Sequence, residues 1–212
     1  MQARGVSAGY LGQPVIHDLT FDIVAGEVTC LLGPNGAGKT STLLALAGEL
    51  PLMSGDVLMH GEVTTAKLYQ LARRGLSYVT EERSIFKSMT TRENFRCAGV
   101  DPDQATELFP ELRDRIELKA GFLSGGEQQM LTLARALSRG SSVLLADELS
   151  LGLAPLIVER LLQAVRDAAD RGSAVLIVEQ HARKALRYAD RVLVIQRGRP
   201  KLDLSVGAAL RP

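Results

Sequence analysis

Residues 33–40 read GPNGAGKT, a complete match to the pattern G-x-x-x-x-G-K-S/T. Glycines at this spacing let the backbone wrap so that successive N–H groups point inward at phosphate oxygens, and a helix opening behind the loop adds the positive end of its dipole. Gly33, Pro34, Asn35, Gly36, Ala37 and Gly38 thus form a phosphate cradle, continued by Lys39, Thr40 and Ser41. Lys39 can reach the β- and γ-phosphates of a nucleotide, and the Thr40 hydroxyl can ligate Mg²⁺. By itself the loop leaves kinases, GTPases and ATPases all open.

A second run, VLLADE (143–148), delivers Asp147 to the end of a buried apolar strand. In open α/β sheets that is the end where ligands bind. Asp147 can enter a Mg²⁺ shell, through water, because this ion keeps several of its waters. Glu148, one residue later, can polarise an attacking water as a general base. An acidic pair could merely end a strand, but beside a complete phosphate loop the functional reading outweighs that one.

A third stretch, FLSGGEQQM (122–130), holds no His, Cys, Asp or Lys, yet prepares a helix start. Ser124 and Glu127 form an S-x-x-E capping box, and Met130, Leu133, Ala134 and Leu137 recur at helical spacing behind it. A capped helix start whose first residues are glycines offers N–H groups to an anion.

The elements that position these residues follow from hydrophobic periodicity. β-like segments cover roughly 3–9, 15–24, 26–32 and 54–59, and the loop at 33–40 is followed by the helical pattern KTSTLLALAGEL. A polar middle with helix-like pieces runs from about 84 to 138. One of these begins DPDQ, where Asp101 caps, Pro102 fits the first helical position and Gln104 closes a box. Three apolar runs then read as buried strands: 143–146, 174–179 and 191–196, with PLIVERLLQAVRDAADRG as a long helix between the first two. Continuous apolar strands alternating with helices predict a parallel sheet covered on both faces. The expected fold is therefore an α/β nucleotide-binding core (1–83 and 139–212) with N-terminal β strands and a helical insert at about 84–138, in one domain.

The 212 residues carry 25 basic and 24 acidic side chains, so no basic footprint for nucleic acid exists. Cys30 and Cys97 lie far apart, without a secretory leader before them, and are expected to be reduced thiols packed in the core. The richest apolar stretch, VLLADELSLGLAPLIV, is broken by Asp147 and Glu148 and is too short to span a bilayer. A soluble protein is expected, serving a membrane only through a partner.

GPNGAGKT, then LSGGEQQ at 123–129, then VLLADE resembles the ATP-binding cassette (ABC) family over essentially the whole chain. The resemblance implies a P-loop ATPase using ATP and Mg²⁺, peripheral on the cytoplasmic face of the membrane. It also implies a head-to-tail dimer, with itself or a homologous ATPase subunit, in which Ser124, Gly125, Gly126 and Glu127 meet the γ-phosphate held by the other chain. By the same resemblance Tyr10 stacks on adenine, SLGLAP (150–155) is the loop that crosses the dimer interface, and Arg83 to Met89 face the coupling helix of a membrane permease. Two positions depart from the family pattern: Glu81 stands where a Mg²⁺- and γ-phosphate-sensing Gln is usual, and Gln180 where the switch histidine falls, with His181 next to it. Leu149 replaces a usual Pro. These departures resemble the branched-chain amino-acid importers and their urea and amide relatives, in which a solute-binding protein feeds the permease, although the middle region is shorter here. A non-transport ABC protein acting on ribosomes or DNA is the alternative, and it would be expected to carry two cassettes or a long insertion.

Overall fold

The computed structural model describes residues 1–179 and 185–206. The chain opens with an antiparallel hairpin, β1 (Gln2–Tyr10) and β2 (Gln13–Asp22), closed by Leu11 and Gly12, both at positive φ. Two successive positive-φ residues give the turn a twist that matches the flanking strands. β3 (Val28–Leu32) leads into α1 (Lys39–Leu46); β4 (Leu52–Met59) and β5 (Glu62–Val63) then complete a four-stranded antiparallel sheet, ordered β2-β1-β4-β5.

After α2 (Leu68–Arg73) and β6 (Leu76–Val79), the predicted insert supplies α3 (Thr91–Cys97), α4 (Pro102–Leu108) and α5 (Gly125–Leu137). β7 (Val143–Asp147), α6 (Pro155–Asp170), β8 (Ala174–Val178), β9 (Arg191–Gln196) and β10 (Arg199–Ser205) follow. The second sheet has the order β10-β9-β3-β8-β7-β6, parallel from β9 to β6 and antiparallel only at β10.

Side chains along each central strand alternate between two cores, as the pleat requires. Leu144, Ala146, Val175 and Ile177 join α3, α4, α5 and α6 on one face. Val143, Leu145, Leu176 and Val178 join α1 and the antiparallel sheet on the other. Because both faces are covered, the strands read as unbroken apolar runs. Arg166 of α6 braces the starts of the neighbouring strands β3 and β9: it pairs with Asp190 and donates to Gly26 O at 2.9 Å, while Asp190 accepts the Val28 N–H at 2.7 Å.

Two expectations need correction, and one strand lies beyond them. Asp101 does cap α4, accepting the Asp103 N–H at 3.0 Å, with Pro102 in the first turn, but Gln104 does not close a box; the second carboxylate there, Asp103, belongs to the first turn instead. Cys30 is buried as expected, whereas Cys97 is exposed at the end of α3, its thiol 3.8 Å from Met89 Sδ. The edge strand β10 carries no buried face to announce it: all seven of its residues are exposed, and only Leu202 and Leu204 alternate in it. It is held by pairing to β9 and by Arg191, which grips Asp203 with Nε and Nη2.

Candidate active site

The loop GPNGAGKT joins β3 to α1, at the C-terminal edge of the parallel sheet. Its last glycine, Gly38, caps α1 at φ +100, a conformation that L side chains rarely adopt, and a Cβ there would lie 2.8 Å from Ile16 Cγ2. The Gly38 carbonyl accepts both the N–H and the hydroxyl of Thr42, at 2.9 and 2.8 Å. Behind the loop, the Gly198 N–H donates to Ala37 O at 2.9 Å, so the turn between β9 and β10 braces the cradle. The Lys39 side chain is buried and curls over the loop, donating to Gly33 O at 2.9 Å and Pro34 O at 3.2 Å. A lysine held on two carbonyls at the loop's mouth is already aimed at the space the loop encloses.

That space is a cleft of about 360 Å³, lined by Asn35, Gly36, Gly38, Lys39, Thr40 and Ser41 together with Val15, Glu81, Glu148 and Leu151. The two acidic positions predicted from distant parts of the chain therefore face the phosphate loop. Glu81 arrives just past β6 and Glu148 just past β7, neighbours in the sheet. Asp147, the last residue of β7, is buried beneath them. Burial holds its carboxyl above the usual range; the facing Thr40 hydroxyl and Lys39 pull the other way, and Glu148 and Glu81 add to the rise.

Whether this set fits a divalent cation can be tested on Asp147 itself. One of its oxygens, Oδ1, is buried with no hydrogen-bond partner, which is costly unless something else satisfies it. Among the described residues no three His, Cys, Asp or Glu side chains gather into a metal cage. One hydroxyl and one carboxylate beside a phosphate cradle suit Mg²⁺, which is bound by few protein ligands together with substrate phosphates.

Glu148 takes φ +48, the left-handed region that a side chain enters only under constraint. Its N–H donates to Val178 O at 3.0 Å, and Leu151 N–H returns to its carbonyl at 3.3 Å. The turn swings the chain out of β7 and over the cleft.

Ser124 caps α5 as the sequence indicates. Its Oγ accepts the Glu127 N–H at 3.3 Å, and Glu127 Oε2 accepts the Ser124 N–H at 2.7 Å. Burial alone would raise the Glu127 carboxyl, but the Ser124 N–H and hydroxyl and the Arg115 guanidinium, 3.1 Å away, outweigh it and hold it below the usual range. None of Ser124, Gly125, Gly126 and Glu127 lines this cleft. They line a separate hollow of about 440 Å³ with Gly152, Leu153, Ala154 and Ile157. Tyr10 also lies outside the cleft lining, half-exposed at the end of β1, while Val15 on the paired strand reaches in. Gln180 and His181 lie outside the described residues.

Two contacts escaped sequence reasoning. The Arg83 guanidinium packs against Gly125, where a Cβ would meet its Nη1 at 3.2 Å. Glu179 holds Ser150 through two hydrogen bonds. The only available signal for the latter was a carboxylate closing an otherwise apolar strand.

The family described as ABC transporter matches residues 16–150. The high-affinity branched-chain amino acid transport ATP-binding protein BraG of Pseudomonas aeruginosa is 38% identical, across 97% of this chain and 92% of that protein. The probable branched-chain amino acid transport ATP-binding protein LivF of Archaeoglobus fulgidus is 34% identical, across 92% and 87%. The lipopolysaccharide export system ATP-binding protein LptB of Escherichia coli is 30% identical, across 93% and 87%. Among solved structures, an ATP-binding subunit of an ABC transporter superposes with a TM-score of 0.84 at 27% identity, covering 97% of this chain and 89% of that one. A dimeric bacterial ABC transporter cassette, MJ0796, shares the fold at 20% identity, with a TM-score of 0.85 over 98% and 99%. The chain belongs to the ABC transporter family, as one of its ATP-binding, ATP-hydrolysing cassettes.

Proposed function

We propose that the chain is the ATPase subunit of an importer for branched-chain amino acids or related small solutes, acting on the cytoplasmic face of a membrane permease. The observation that carries the catalytic part is the convergence of Lys39, Thr40, Glu81 and Glu148 on one cleft above the buried Asp147. The importer part rests on the likeness to BraG and LivF.

In this reading the N–H groups of the loop and Lys39 hold the ATP phosphates, and Tyr10 stacks on adenine. Thr40, Asp147 and Glu81 would hold Mg²⁺, which supplies positive charge to the phosphate oxygens when bound. Glu148 orients and deprotonates the attacking water, and Gln180 or His181 contacts the γ-phosphate. Positioning and electrostatic stabilisation carry most of phosphoryl transfer, which suits a site built from a cradle, a lysine and carboxylates.

Ser124, Gly125, Gly126 and Glu127 lie outside the cleft, so they would act on the nucleotide of a second cassette, identical or homologous, packed head to tail. The dimeric state named for MJ0796 supports this. The insert at about 84–138, with Phe86 and Met89 exposed near its start, would meet the permease. A solute-binding protein would act one step removed, and nucleic acid is not a partner. No described helix is long and apolar enough to cross a membrane, so contact with the bilayer would come through the permease.

The likeness to LptB favours a second reading, an export system. Copurification from the native membrane separates them. Recovery of a permease pair, with transport of a branched-chain amino acid in reconstituted vesicles, supports the importer; recovery of lipid-export components overturns it.

A further inference from the structure

β8 ends in a carboxylate that the proposed reaction leaves unused. Glu179, directly after Val178, is 2% exposed. Both of its oxygens accept from Ser150, which donates its backbone N–H to Oε1 at 3.2 Å and its hydroxyl to Oε2 at 2.5 Å. Hydrogen bonds to an ionised acceptor are roughly twice as strong as neutral ones, and more so where water is excluded. Cys30 on the adjoining strand registers the same carboxylate, since its thiol is pushed up by burial and further by Glu179.

Ser150 is placed where holding it matters. Two residues earlier stands Glu148, in the left-handed region and with its N–H on Val178 O. Such a conformation persists only when its surroundings over-determine it. One fixed point therefore precedes the turn, at Val178, and the next follows it, at Glu179, and both belong to the end of β8. Beyond Ser150 the chain serves both halves of the site. Leu151 lines the nucleotide cleft, and Gly152, Leu153 and Ala154 line the hollow beside Ser124. Leu153 N–H donates back to Ser150 O at 3.3 Å, so the second turn starts from the clamped residue.

We propose that Glu179 is a positioning residue whose carboxylate, clamped on the N–H and hydroxyl of Ser150, sets the turn that holds Glu148 over the nucleotide cleft. The same clamp joins the residue preceding Gln180 to the segment that reaches the hollow beside Ser124. The proposal rests on the reading of Glu148 as the group that activates water.

The test is steady-state ATPase of the full-length chain carrying Glu179→Gln, Ser150→Ala, Ser150→Thr or the Glu179→Gln/Ser150→Ala pair, with Glu148→Gln in parallel. Small displacements of a reacting group cost rate more than binding, so Glu179→Gln and Ser150→Ala lower kcat by about tenfold or more while KM for ATP stays within about twofold. Ser150→Thr, which keeps the hydroxyl, recovers most of the rate lost in Ser150→Ala. The double variant falls no further than the worse single one, because both remove the same clamp. A kcat within about twofold of wild type for both single variants, or a KM that rises in step with the fall in kcat, overturns the proposal if Glu148→Gln is inactive. Wild-type turnover by Glu148→Gln overturns the underlying reading, and the clamp with it. Should Glu179→Gln fail to fold, Ser150→Ala at its half-buried position carries the test.

Discussion

Replacing Gly38 by Ala separates the shape of the phosphate loop from its chemistry, since no catalytic atom is removed. Gly38 caps α1 at φ +100, where a side chain is strained by about 1–3 kcal/mol. The new Cβ would also stand 2.8 Å from Ile16 Cγ2 and 3.3 Å from Val15 O. Forcing it in adds about 1–3 kcal/mol of overpacking, for a sum of about 2–6 kcal/mol. Gly36→Ala is the internal control: Gly36 also has positive φ, at +76, but nothing lies within 4 Å of a Cβ there, so only the strain remains. Equilibrium unfolding in urea, with slopes compared, should place Gly38→Ala below Gly36→Ala by the contact contribution of about 1–3 kcal/mol. ATP affinity falls as well, because the Gly38 carbonyl anchors Thr42 and so the first turn that carries Lys39. Equal stability of the two variants would mean that the collision with Ile16 carries no energy, contrary to this prediction.

Asp147→Asn should raise the thermal midpoint without nucleotide while abolishing most turnover. The Asp147 carboxyl is held above its usual range by burial, so its ionised form opposes folding at neutral pH; that opposition fades as pH falls through the raised folded value toward the unfolded one, and the two proteins converge in acid. With Mg-ATP present the order reverses, as thermal scans with and without ligand will read. Ser124→Ala removes the cap on the Glu127 N–H and should cost about 1 kcal/mol in denaturant unfolding, with a loss of ATPase far larger than that stability change explains. Arg166→Ala strips a nearly buried partner from Asp190 and leaves Gly26 O without its donor. Breaking such a pair costs about 3–5 kcal/mol, measured by the same unfolding experiment.

What could be read from the sequence was what depends on near neighbours. GPNGAGKT between an apolar strand and a helix, the Ser124–Glu127 box and the run of β7 each act over a few residues, and each stands in the structure where expected. The parallel sheet followed from strands that are apolar on both faces, because both faces meet helices or a second sheet. Its order did not, since nothing in the runs themselves puts β3 between β9 and β8. β10 was silent because an exposed edge strand needs only backbone pairing and an Arg191–Asp203 grip. Cys97 was misplaced because the short helix α3 leaves its last turn in solvent. The clamp between Ser150 and Glu179, 29 residues apart, exists only once β7 and β8 pair.

Glu148, turned out of β7 over the phosphate loop, is proposed to activate the water that attacks ATP. Purified Glu148→Gln protein, mixed with Mg-ATP, should bind nucleotide, accumulate as a dimer by size-exclusion chromatography with light scattering, and hydrolyse about 10²–10⁴-fold more slowly than wild type. Turnover within about twofold of wild type, in a variant that binds ATP equally well, would contradict it.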